Sequence, residues 1–106
     1  MTDDSATWVV LTHTPGPTVS GPIFGDPRFA HHRAFLRAMH ERGWLVAAGP
    51  FSDRPAEGMT LLRIPEPDAL ELAADHAEAD RSVVEGLFNL EVRPWTVMLE
   101  SERLRH

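Results

Sequence analysis

Four short runs of β-branched, aromatic and aliphatic residues stand along the chain, and two stretches between them repeat their apolar positions at helical spacing. Residues 7–12, Thr-Trp-Val-Val-Leu-Thr, have the composition of a strand. His13 ends that run. Residues 14–27 hold four prolines and three glycines and read as a long loop, a kind of segment that is commonly functional or disordered. Residues 28–42 then place Phe29, His32, Phe35, Leu36, Met39 and His40 on one face at about 100° per residue, with Arg33, Arg37 and Glu41 opposite. Asp26 is the expected N-cap, Pro27 the first helical position and Gly43 the stop.

Residues 44–48 predict a second strand, residues 51–58 a loop and residues 59–64 a third strand, joined as an antiparallel hairpin. Pro67, with Asp68 and Glu71 in the first turn, opens a second helix whose small-residue stripe is Ala69, Leu70, Ala73 and Ala77. Asp80 reads as the N-cap of a short helical turn over residues 81–85, stopped by Gly86. The last strand spans residues 88–99, and Pro94 marks it as an edge or a bulge. Residues 100–106 are charged and are expected to fray.

The order β-α-β-β-α-β predicts an α+β, ferredoxin-like antiparallel sheet with two helices on one face, in a single domain over residues 1–106. The first and last strands are apolar on both sides: Trp8 and Val10 against Val9 and Leu11, Trp95 and Val97 against Val92 and Met98. Two helices cover one face only. The other face would expose a large apolar patch, so sheet-to-sheet packing into a homodimeric α+β barrel is expected.

Composition narrows the chemistry. Of 106 residues 42% are hydrophobic and 25% charged, near the average for soluble globular domains. The net charge is −6, and all ten basic residues are arginine, with no basic cluster of the kind that binds nucleic acid. The absence of cysteine removes disulfides, thiolate catalysis and Cys-based metal centres. No apolar run reaches the length of a membrane span, and the N-terminus has no apolar signal core, so a cytoplasmic protein without membrane partners is expected. Neither G-x-G-x-x-G nor a P-loop occurs, and no serine stands in G-x-S-x-G. No haem-ligand pattern favours an oxygenase of the α+β barrel type. His32 and His40, two helical turns apart, do not chelate one ion unaided, so neither metal nor cofactor is expected.

What remains is histidine. His32 lies among Phe29, Leu36 and Met39, an apolar setting that suits either an acid/base group in a pocket or a core imidazole with satisfied nitrogens. Asp53, after Gly49-Pro50-Phe51, has the position of a carboxylate that orients an imidazole or of a turn aspartate bonded to its own backbone. Asp80 is better explained as a cap than as a catalyst, and His13 as a strand end than as a neighbour of His32. Arg28, at a helix start, is placed to bind a substrate anion.

Four stretches together resemble the YciI-like (YCII-related) proteins: Arg28 through His32 leading to Met39-His40-Glu41-Arg42-Gly43; Ala48-Gly49-Pro50; Asp80 with Val83, Val84 and Gly86; and Val92-Arg93-Pro94-Trp95. The resemblance implies a ferredoxin-like fold, a homodimeric barrel, and an active site of a helix histidine and an aspartate after the Gly-Pro turn, here His32 and Asp53. It also implies dehydrohalogenase-like elimination on ring compounds. The family's usual Asp-Pro pair is Asp80-Arg81 here. The expectation is a cofactor-independent enzyme in which His32 and Asp53 carry proton abstraction with elimination or isomerisation, and Arg28, Gly49, Pro50 and Phe51 contact a small-molecule substrate. The alternatives are a non-catalytic metabolite-binding or regulatory module and a purely structural dimer partner.

Overall fold

The computed structural model describes residues 6–101. Four strands, β1 (Ala6–Pro15), β2 (Leu45–Phe51), β3 (Arg54–Arg63) and β4 (Phe88–Val97), form one antiparallel sheet in the order β2-β3-β1-β4. Helices α1 (Phe29–Glu41), α2 (Leu70–Glu78) and the single turn α3 (Arg81–Val84) connect them. The topology is ferredoxin-like, as the order of elements requires. Pro94 sits in β4 opposite Val9; β4 is an edge strand, where a missing N–H costs the ladder least.

Alternation along β1 decides what faces the helices. Val9, Leu11 and His13 share one face, with Leu62, Thr60 and Gly58 of β3 and Pro94, Val92 and Leu90 of β4 in the same rows. Phe35 and Met39 of α1 and Ala73 and Ala77 of α2 close on Val9, Leu11 and Leu62 to make the core. Leu11 and Leu62 have no accessible surface, and burial of each contributes about 2–3 kcal/mol. His40, predicted on the apolar face, is exposed; the buried stripe of α1 is the narrower set His32, Phe35 and Met39.

Three boundaries differ from the sequence-based expectation. The loop expected over residues 51–58 shrinks to the two-residue turn Ser52-Asp53, because β2 and β3 continue pairing beyond the core as far as Phe51 and Arg54. Those outer residues carry prolines and little apolar weight, so composition hid a ladder held by the backbone. Helix α1 begins at Phe29 after a turn of i→i−3 bonds, with Asp26 accepting from the Arg28 N–H at 2.9 Å instead of capping the helix directly. The last strand stops at Val97, and Met98 and Leu99 lie exposed beyond it.

Residues 16–28 form an ordered strap, not a free loop. Gly16 donates to the Leu87 carbonyl and Thr18 to that of Gly86. A Cβ on Gly16 would collide with the Gly86 carbonyl, and Gly86 itself takes φ +82°, so both positions need glycine. Ile23, in a 3-10 turn (Ile23–Gly25), is buried against Leu87 and Phe88, with Phe29 packed alongside. Among the described residues, no helix is long and apolar enough to cross a membrane. The expected fraying over residues 100–106 concerns mainly residues outside the described range.

Candidate active site

His32 stands on the buried face of α1, one turn before Phe35 and Leu36, and is 8% exposed. Its Nδ1 lies 2.9 Å from Oδ2 of Asp80. Asp80 ends the segment after α2 and caps α3: its Oδ1 accepts from the Ser82 N–H at 2.9 Å and the Ser82 hydroxyl at 2.8 Å. One carboxylate thus caps a helix with one oxygen and holds an imidazole with the other. Burial alone would raise the Asp80 pKa. The bonds from His32 and Ser82 outweigh it and hold the carboxyl below its ordinary range. An ionised Asp80 accepts the Nδ1 proton, which leaves the lone pair of His32 on Nε2.

His13 reaches the same place from β1. Its ring centroid is 4.5 Å from that of His32, edge to face, and 5.3 Å from that of Phe88. Opposite His13 in the register is Gly58, where a Cβ would crowd the Gly49 carbonyl of β2. His13 is 3% exposed, and its Nε2 has no hydrogen-bond partner. Burial, reinforced by His32 and opposed by Asp80, lowers its pKa to about 4, so His13 is neutral at pH 7.

Both histidines line a cavity of about 160 Å³ between α1, the strap and the β2–β3 hairpin. Ile23, Phe29, Pro50 and Phe88 are among its apolar lining, and Gly49 lies along it. Among the described lining residues the only carboxylate is Glu57 and none is an arginine. An apolar cavity of about this size admits one six-membered ring. The chemistry on offer is a proton acceptor, Nε2 of His32, fixed by a buried carboxylate at the wall of a ring-sized apolar space.

The structure brings only some of the expected residues together. His32, Gly49 and Pro50 are at the cavity. Asp53 is not: it occupies the exposed hairpin turn, and the carboxylate that meets His32 is Asp80. Phe51, at the end of β2 and exposed, is not among the lining residues. Arg28, expected to meet a substrate anion, has all five of its N–H donors engaged within the protein. Nε and Nη2 hold Asp26, Nη1 holds Thr18 Oγ1 and the Glu85 carbonyl, and Nη2 also reaches the Thr18 carbonyl. The pairing with Arg28 draws Asp26 down to about 2. Arg28 is the clamp of the strap.

Two residues of the site have a second role that local sequence does not announce. Asp80 is a cap, as its sequence position indicates, but a cap occupies one carboxylate oxygen and leaves the second available. His13 does not end its strand, and its parity with Val9 and Leu11 puts it on the helix-facing side.

No known family's sequence pattern matches the chain, and no curated protein sequence does. Its fold is matched by solved structures. One is described as an antibiotic biosynthesis monooxygenase, with a TM-score of 0.59 and 12% identity, covering 90% of this chain and 99% of that one. Another is a variant of SnoaB, a cofactor-independent oxygenase from Streptomyces nogalater, with a TM-score of 0.58 and 12% identity over 92% of this chain and 98% of that one. At this identity the likeness establishes the ferredoxin-like fold and nothing finer.

Proposed function

We propose that the chain is a small-molecule enzyme that begins its reaction by deprotonating a largely apolar, ring-sized substrate with His32. Nε2 of His32 takes a proton from a substrate C–H or O–H, and the imidazolium so formed is stabilised by ionised Asp80 through Nδ1. The electron pair left on the substrate expels a leaving group from the neighbouring carbon, giving elimination, or is reprotonated at another carbon, giving isomerisation. The observation that carries this reading is the 2.9 Å pairing of His32 with a buried carboxylate on the wall of an apolar cavity. The resemblance to YciI-like proteins points the same way, with the aspartate moved from Asp53 to Asp80.

A second reading shares the first step. The cofactor-independent oxygenase among the structural neighbours favours a substrate carbanion that passes its electrons to dioxygen instead of to a leaving group. A panel of halogenated and unhalogenated monocyclic phenols and enones separates the two, by following halide release, deuterium exchange at acidic C–H positions and oxygen uptake. His32→Ala is expected to abolish whichever activity appears, and Asp80→Asn to lower it about 10²–10⁴-fold. Retained turnover in folded His32→Ala would refute the mechanism. Binding from the panel with no chemical change in any member would favour the metabolite-binding alternative.

The assembly inferred with this function is a homodimer. Val10, Leu61, Met59 and Trp95 lie on the sheet face that the helices leave uncovered.

A further inference from the structure

The strand, the helix and the turn that meet at the cavity bring together three ligand-type side chains that lie far apart in sequence. His13 comes from β1, His32 from α1 and Asp80 from the cap of α3. All three are buried, and one donor atom from each lies within 4.8 Å of the others. We propose that His13, His32 and Asp80 form a binding site for one divalent transition-metal ion, of the class that accepts two imidazole nitrogens and one carboxylate oxygen.

Nδ1 of His32 and Oδ2 of Asp80, 2.9 Å apart, already have about the separation of two ligands on one ion with bonds near 2.1 Å. His13 supplies the third donor. Its Nε2 is buried without a partner, a condition that costs about 1–3 kcal/mol unless something occupies it. That atom is closed to water, and with donor atoms up to 4.8 Å apart the three side chains must draw closer for all of them to reach one ion at bonds of about 2.0–2.2 Å. Ser82 holds the other oxygen of Asp80 with two hydrogen bonds, the outer support that orients a carboxylate ligand. The cavity beside the cluster leaves coordination positions open to a small molecule. Two imidazoles and a carboxylate with open positions suit Zn²⁺, Co²⁺ or Fe²⁺ better than Mg²⁺ or Ca²⁺.

Binding balances without any redox partner. The ion takes the place of the hydrogen shared by His32 and Asp80, and the proton leaves Nδ1 for Nε2, so the ligands remain a neutral imidazole and a carboxylate. The lone pair that serves as base is then gone. Metal and acid–base chemistry therefore exclude one another at His32, and the argument for the ion does not rest on the function proposed above.

Cobalt(II) added to chelator-treated protein tests this without substrate. The expected result is one equivalent bound in calorimetry, visible d–d bands, and paramagnetic broadening of the His13 and His32 ring signals. Affinity should fall at least tenfold in His13→Ala and Asp80→Asn and stay unchanged in Asp53→Asn. No saturable binding up to about 1 mM would overturn the proposal, as would equal affinity in folded His13→Ala. Should that variant fail to fold, the broadening in the unmodified protein decides: confinement to His31, His40, His76 or His106 overturns the site.

Discussion

Asp80 serves two neighbours at once, and this sets what a substitution there does. Asparagine keeps an oxygen for the Ser82 amide and hydroxyl but removes the charge that holds the His32 Nδ1 proton. Asp80→Asn is therefore predicted to fold and to lose turnover, whereas Asp53→Asn at the hairpin tip leaves turnover within about twofold; steady-state kinetics with circular dichroism distinguish them. The sequence-based choice of Asp53 followed proximity along the chain to the Gly49-Pro50 turn. The pairing that forms spans 48 positions, and no local pattern encodes it.

His13 makes a second prediction at this scale. Its pKa of about 4 in the fold lies below the 6.5 of an unperturbed histidine, so the folded state binds its proton less readily than the unfolded chain. The stabilisation from keeping it neutral is complete above pH 6.5 and declines as pH falls toward about 4, amounting to at most about 3 kcal/mol. Urea unfolding of the metal-free protein at pH 7.5 and 4.5 should show this loss, reduced in His13→Gln. An identical loss in the variant would assign it to other groups.

Among the elements, the strap over residues 16–28 depends on a few atoms. Its proline and glycine content announced a loop, but the order in it comes from contacts with residues 85–87, which lie about 70 positions away. Gly16→Ala places a methyl group against the Gly86 carbonyl and is predicted to destabilise the fold by about 1–3 kcal/mol, read from denaturation midpoints. A variant as stable as the parent would mean the strap can lift without cost. The helices were easier to read, because three-to-four spacing of Phe35, Leu36 and Met39 is set by the chain alone. The outer halves of β2 and β3 were not, since their pairing rests on backbone bonds and a two-residue turn, with few apolar side chains to advertise it.

For the whole molecule, the open sheet face is the main energetic question. Trp95 is 47% exposed and packs edge to face on Trp8, with Val10, Leu61 and Met59 on the same surface. The alternation of residues gave both the faces and the expectation of a second copy upon one of them. Trp95→Glu is predicted to disrupt the proposed homodimer, read by light scattering coupled to size exclusion; a monomeric parent would remove the proposal.

Asp80, on the reading proposed above, fixes His32 with its proton on Nδ1 and its lone pair on Nε2. A long-range ¹H–¹⁵N spectrum of the imidazole nitrogens in metal-free protein reads this directly. The expected result is the Nδ1–H tautomer for His32 near neutral pH, lost or mixed in Asp80→Asn and intact in Asp53→Asn. An Nε2–H tautomer in the parent protein, or the same spectrum in Asp80→Asn, would contradict it.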